Sequence, residues 1–161
     1  FCLLSSEYQE KSQFNIIGNG SNLGNLKQLT DSNPNIVFHG EKPRSDMASY
    51  YKASDFLIIS LIDEPIFSVT VPAKTQTYIA AKKPILAIIN GDTASIVQDN
   101  NLGLCADPSK IDAITSMFQR CIDMGQTEIQ SFANENDRLL ATIFNKEKAI
   151  DKLLKLVTSK D

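Results

Sequence analysis

Five short apolar runs, separated by stretches of helical periodicity, set what this chain can fold into. They lie at 14–18 (Phe-Asn-Ile-Ile-Gly), 35–39 (Asn-Ile-Val-Phe-His), 55–60 (Asp-Phe-Leu-Ile-Ile-Ser), 84–89 (Pro-Ile-Leu-Ala-Ile-Ile) and 103–106 (Gly-Leu-Cys-Ala). The runs are continuous rather than alternating, as in parallel strands buried on both faces. Between them, Leu23, Leu26 and Leu29 mark one helix, and Met47, Tyr50 and Tyr51 a second. A third covers 71–82, with Tyr78 and Ile79 inward and Pro72 tolerated in its first turn, and a short fourth covers 92–99. Strand and helix in regular alternation predict an α/β fold: a Rossmann-like parallel sheet with helices on both faces and right-handed crossovers.

After Ala106 the pattern turns helical, dividing the chain into a core at 1–107 and a tail at 108–161. Pro108 opens a helix with Ile111, Ile114, Phe118 and Cys121 on one face. A second carries Ile129, Phe132 and Leu139, and a third Ile150, Leu154 and Val157. The last is rich in Lys146, Lys148, Lys152, Lys155 and Lys160. Glu147 and Asp151 dilute that charge, so the lysines read as a solvated face, with a membrane-surface helix as the sharper alternative.

Composition narrows the function. A length of 161 residues suits one domain with a core that needs no disulfide or metal staple. A net charge of −3 argues against bulk nucleic-acid binding. No apolar stretch approaches the roughly 20 residues of a membrane span. The opening Phe-Cys-Leu-Leu-Ser-Ser lacks the basic start of a signal peptide. Cys2, Cys105 and Cys121 are widely spaced and read as buried or half-buried thiols of a cytoplasmic protein. His39, the lone histidine, reads as a strand-end packing residue, since a Ser-His or Cys-His catalytic set has few parts here.

Three constellations can carry chemistry. Gly18-Asn19-Gly20-Ser21 ends the first strand, and with Gly24 it forms Gly-x-Gly-x-x-x-Gly, one residue longer than the dinucleotide fingerprint. Glu41, beyond the second strand, stands where an acid can meet a ribose. A nicotinamide cofactor and a plain tight turn are both compatible with that pattern. The second constellation, His39 to Arg44, is a charged loop opened by Gly40 that includes Lys42. The third runs over 64–78 and leads into a helix N-terminus, where the macrodipole is positive and N–H groups are free. Lys74 in that first turn is unfavourable by ~0.3–1 kcal/mol unless an anion binds there. A solvated surface lysine is the other reading.

Residues 71–86 (Val-Pro-Ala-Lys-Thr-Gln-Thr-Tyr-Ile-Ala-Ala-Lys-Lys-Pro-Ile-Leu) resemble the donor-site helix of bacterial family-four glycosyltransferases of GT-B fold. The O-antigen and capsule branch, with its fucosaminyltransferase-like members, is the most similar. Residues 14–21 resemble the family's strand and Gly-Asp-Gly turn, with Asn19 in place of Asp. Residues 37–40, 50–60, 103–108 and 144–153 match later strands and the closing helices.

The resemblance implies a carboxy-terminal, donor-binding half of a retaining enzyme. It would transfer a sugar from a nucleotide diphosphate sugar, a UDP-sugar by family habit, to a polysaccharide or lipid-linked acceptor. The resemblance places the donor against Gly18, Gly20, Gly40, Glu41, Lys42, Ile66, Phe67, Ser68, Val69, Thr70, Lys74 and Thr77, with no metal and no further cofactor. It implies an acceptor-binding amino-terminal domain and a first central strand that this sequence does not carry. It also implies a cytoplasmic location, with peripheral association at the inner face of the membrane. The family's two glutamates fall on Val69 and Thr77, so both carboxylates are replaced by neutral side chains. No catalytic residue is assigned. A nicotinamide-dependent oxidoreductase and a non-catalytic interaction domain are the alternatives.

Overall fold

The computed structural model describes residues 1–30 and 33–158. The five apolar runs form β1 (Phe14–Ile17), β2 (Ile36–Gly40), β3 (Leu57–Ser60), β4 (Ile85–Ile88) and β5 (Gly103–Ala106). Ten helices precede, separate or follow these strands among the described residues. In chain order they are α1 (Ser6–Glu10), α2 (Leu23–Leu29), α3 (Met47–Ala53), α4 (Pro65–Ser68) and α5 (Ala73–Ala80), then α6 (Asp92–Asp99), α7 (Ile111–Asp123), α8 (Gln126–Ser131), α9 (Asn136–Ala141) and α10 (Lys146–Thr158). A 3-10 turn at Arg44–Asp46 leads into α3.

All strand pairings are parallel. The strands form two ladders rather than one: β1 pairs with β2, and β3–β4–β5 form a second sheet. No strand pairing joins β1 to β3 among the described residues. Two apolar clusters cover opposite faces. Leu57, Ile59, Ile85, Ala87 and Ile89 point to one, where Tyr78 and Ile79 of α5, Val97 of α6 and Leu139 of α9 meet them. Leu86, Leu104 and Ala106 point to the other, with Met117, Phe118 and Cys121 of α7, Phe132 and Leu4. Phe14 of β1 joins this second cluster through an edge contact with Phe118. Side-chain packing therefore carries one core across two hydrogen-bonded ladders.

Several boundaries depart from expectation. The 71–82 helix starts at Ala73, and Pro72 is its extended N-cap rather than a first-turn residue. The residue before a proline is pushed out of helical geometry, which keeps Val71 outside the helix. Pro108 precedes α7 by three residues, and Ile111 at its start is exposed. The expected second tail helix is two, α8 and α9. Phe132 belongs to one cluster and Leu139 to the other, so one straight helix cannot serve both. Of the three thiols only Cys121 is buried; Cys105 is partly covered and Cys2 is exposed. Burial pushes both Cys105 and Cys121 up to about 11.

Helix α10 leaves its apolar residues largely exposed among the described residues. Ile150, Leu153, Leu154 and Val157 line an exposed apolar groove, and Leu153 is 65% accessible. Its lysines Lys146, Lys148, Lys152 and Lys155 are exposed as expected; Lys160 lies outside the described residues. No described helix is long and apolar enough to cross a membrane.

Candidate functional site

The expected donor residues gather in two groups at carboxyl ends of strands. The first closes β1 and β2. The Gly18 N–H donates to the Gly40 carbonyl at 2.8 Å, so the two glycine turns abut. Gly18 and Gly40 both have positive φ, at 136° and 68°. The pairing passes from Ile16↔Phe38 to Ile17↔Gly40, leaving His39 as an inserted residue. That irregularity turns the His39 ring toward Asn15 Oδ1, 2.7 Å from Nε2, and edge-on to Tyr50. His39 is thus a packing and hydrogen-bonding residue, as expected. Gly20 and Glu41 are exposed, and Lys42 is half-buried.

The second group closes the three-stranded sheet. The segment expected as open loop contains α4, one turn over Ile66, Phe67 and Ser68, with Pro65 favouring its start. Val69 is 71% exposed and Ile66 nearly as much. Thr70 donates through Oγ1 to the Ile66 carbonyl at 2.6 Å. Lys74 and Thr77 are exposed on α5. The Thr77 hydroxyl lies 3.4 Å from the Ala73 carbonyl, a weak bond that leaves it free to turn outward. No side chain caps the N-terminus of α5. Thr75, in the same first turn, is fully buried, and its hydroxyl has no partner among the described residues. Positive partial charge, open N–H groups and the Lys74 ammonium therefore share one helix end.

Other residues of this edge do not stand out in the sequence. Gly91 sits at the β4–α6 turn with φ 79°, against the Ser68 backbone. The Thr93 hydroxyl donates to the Thr70 carbonyl at 3.0 Å. Asn90 Nδ2 donates to both Asp63 Oδ1 (3.2 Å) and Asp107 Oδ1 (3.3 Å). The Asn90-Gly91 pair after a strand is a turn signal in the sequence. Nothing local in the sequence says which backbone a threonine hydroxyl will meet.

Asp107 accepts from the Ser109 hydroxyl at 2.7 Å and from its N–H at 3.0 Å. These bonds, with Asn90 and Lys110 beside them, hold its carboxyl down at about 2. The folded value lies below the unfolded value of about 3.9, so this contribution to stability is complete above about pH 4 and disappears as pH falls through about 2. Asp107→Asn should flatten the decline of the urea midpoint between about pH 4 and about pH 2, leaving the decline above that range unchanged.

Parallel strands with helices packed on both faces define a Rossmann-like α/β class. The family model for group 1 glycosyl transferases matches residues 3–124. The chain belongs to that family. It is 25% identical over 119 residues to a protein named probable glycosyltransferase WbjE from Pseudomonas aeruginosa. The match covers 71% of this chain and 30% of that relative, so the chain spans about a third of the relative's length. The fold fits the carboxy-terminal domain of a GT-B enzyme, and the family is one of glycosyl transferases, not of the nicotinamide-dependent oxidoreductases that the Gly18, Gly20 and Glu41 pattern left as an alternative.

Proposed function

We propose that this chain is the donor-binding half of a retaining glycosyltransferase that uses a nucleotide diphosphate sugar. The observation that carries the reading is Lys74 in the first turn of an uncapped helix, α5, at the carboxyl end of a parallel sheet. The leaving diphosphate develops negative charge as the glycosidic bond breaks. Free N–H groups, helix dipole and ammonium stabilise that charge with no metal or further cofactor in this scheme. The nucleoside lies toward Gly18, Gly20, Gly40, Glu41 and Lys42, and Thr77 meets the ribose. The backbone of Ile66, Phe67, Ser68, Val69 and Thr70 borders the phosphates and the sugar. A UDP-sugar is the proposed donor. The acceptor, a polysaccharide or lipid-linked glycan, is held by an amino-terminal domain, and the enzyme works at the cytoplasmic face of the membrane.

The same reading covers the split sheet. Among the described residues β1 and β3 share a core and are not paired with each other, an arrangement that a further parallel strand between them would complete.

The test is a thermal-shift series on the full-length protein with UDP, GDP, ADP and NAD, for wild type and Lys74→Ala. One nucleoside diphosphate should stabilise the wild type, by about 2.7 kcal/mol at a hundredfold excess over Kd. Loss of a charge-assisted phosphate contact, about 1.5–3 kcal/mol, should weaken that ligand roughly 10- to 100-fold in Lys74→Ala. A shift with NAD alone, or equal binding by both proteins, overturns the reading.

A further inference from the structure

We propose that Thr93, assisted by Gly91, is a positioning residue for the donor loop: it fixes α4 and Thr70 against the sheet so that the N-terminus of α5 stays open to a diphosphate. The inference rests on the donor-site reading above. Five of the proposed donor residues, Ile66 to Thr70, lie on this short segment, which has little to hold it in place. Ile62, Ile66 and Val69 are exposed, so apolar burial contributes little there. Most of its hydrogen bonds are internal: Phe67 N–H to the Glu64 carbonyl, Ser68 Oγ to the Pro65 carbonyl, and Thr70 Oγ1 to the Ile66 carbonyl. Such bonds shape the turn without placing it.

Placement comes from the next strand-to-helix turn. Thr93 is 0% exposed, and its hydroxyl donates to the Thr70 carbonyl at 3.0 Å. Two residues earlier, Gly91 packs against the Ser68 backbone so closely that a Cβ would collide with the Ser68 carbonyl. One turn therefore grips the segment at two points, on either side of Val69. The grip has an electrostatic consequence. Thr70 lies three residues before Ala73, where α5 begins. A carbonyl oxygen turned toward that helix end would oppose an anion and compete for its N–H groups. The Thr93 hydroxyl occupies the Thr70 oxygen and directs it toward α6. Thr93 is fully buried and cannot touch a ligand itself, so its hydroxyl reaches the site through Thr70.

Binding of UDP, GDP and ADP, and of the matching monophosphates, is measured by calorimetry on the full-length protein. The variants are Thr93→Val, Thr93→Ser, Lys74→Ala and Asn136→Ala. Valine keeps the shape and removes the donor; serine restores it. Asn136 is a buried residue whose Nδ2 bonds the Ile79 carbonyl at the far end of α5, so its variant reports general loosening. Thr93→Val should weaken the preferred diphosphate about tenfold and reduce its advantage over the monophosphate. Thr93→Ser should bind within about twofold of wild type, and Asn136→Ala should bind as wild type despite a lowered Tm. Wild-type affinity in Thr93→Val, or an equal loss in Asn136→Ala, overturns the positioning role while a weakened Lys74→Ala still upholds the donor site. Equal diphosphate binding by wild type and Lys74→Ala overturns both.

Discussion

Leu139→Ala should lower the unfolding free energy by about 2–5 kcal/mol, seen as a lower urea midpoint at unchanged slope. Leu139 is 0% exposed, in the cluster formed by Tyr78, Ile79, Val97 and Leu102. Helix α9 has six residues, too few for a helix to be stable alone. It persists because Leu139 is buried and because Asn136 Nδ2 bonds the Ile79 carbonyl at 3.0 Å, beside the Lys82 N–H that the same carbonyl already accepts at the end of α5. Truncation at Leu139 leaves a cavity bounded by the sheet and two helices, which cannot collapse without moving both. Leu153→Ala, on the exposed face of α10, should change stability by no more than about 0.5 kcal/mol. Equal effects from the two variants would mean that α9 is not part of the core.

Gly91→Ala should cost about 2–4 kcal/mol, from two sources that add. The residue sits at φ 79°, where a side chain is strained. The new methyl would also meet the Ser68 carbonyl, a backbone atom that moves only if α4 moves. Gly24→Ala gives the opposite sign. Gly24 lies in α2 with open space around it, and alanine there should stabilise by about 0.5–1 kcal/mol. Chemical denaturation of wild type and the two variants checks both values. A Gly91→Ala variant as stable as wild type would show that the β4–α6 turn and the donor loop are not in contact.

Much of the fold was legible in the residues. Continuous apolar runs located all five strands, since a parallel strand packed on both faces needs apolar side chains at successive positions. Alternate residues of β3 and β4 do go to opposite clusters. The break between α8 and α9 was not legible. Phe132 and Leu139 are seven apart and read as one helix face, yet they serve opposite sides of the sheet. The division into two ladders was not legible in the strands' own residues, because a strand's sequence does not say which neighbour it bonds; only the resemblance, with its implied further central strand, pointed to a gap in the sheet. At the candidate site, Gly18, Gly40 and Lys74 stood out through local chemistry. Thr93, Asn90 and Gly91 did not, because their importance comes from partners more than twenty residues away, at Thr70, Asp63 and Ser68.

The two ladders have a consequence for how order passes from one strand end to another. β4 has a bonded strand on each side, while among the described residues β1 and β2 have only each other, across a register that slips at Ile16–Ile17. Backbone bonds transmit strand order directly; packed side chains transmit it only while the packing holds. Among the described residues the β1–β2 pair is thus tied to the three-stranded sheet by packed side chains rather than by backbone bonds. The ends of that pair are the turns proposed to receive the nucleoside, and the ends of the three-stranded sheet are those proposed to receive the phosphates. A ligand spanning both would tie the two units together, so occupancy and local order would rise as one event.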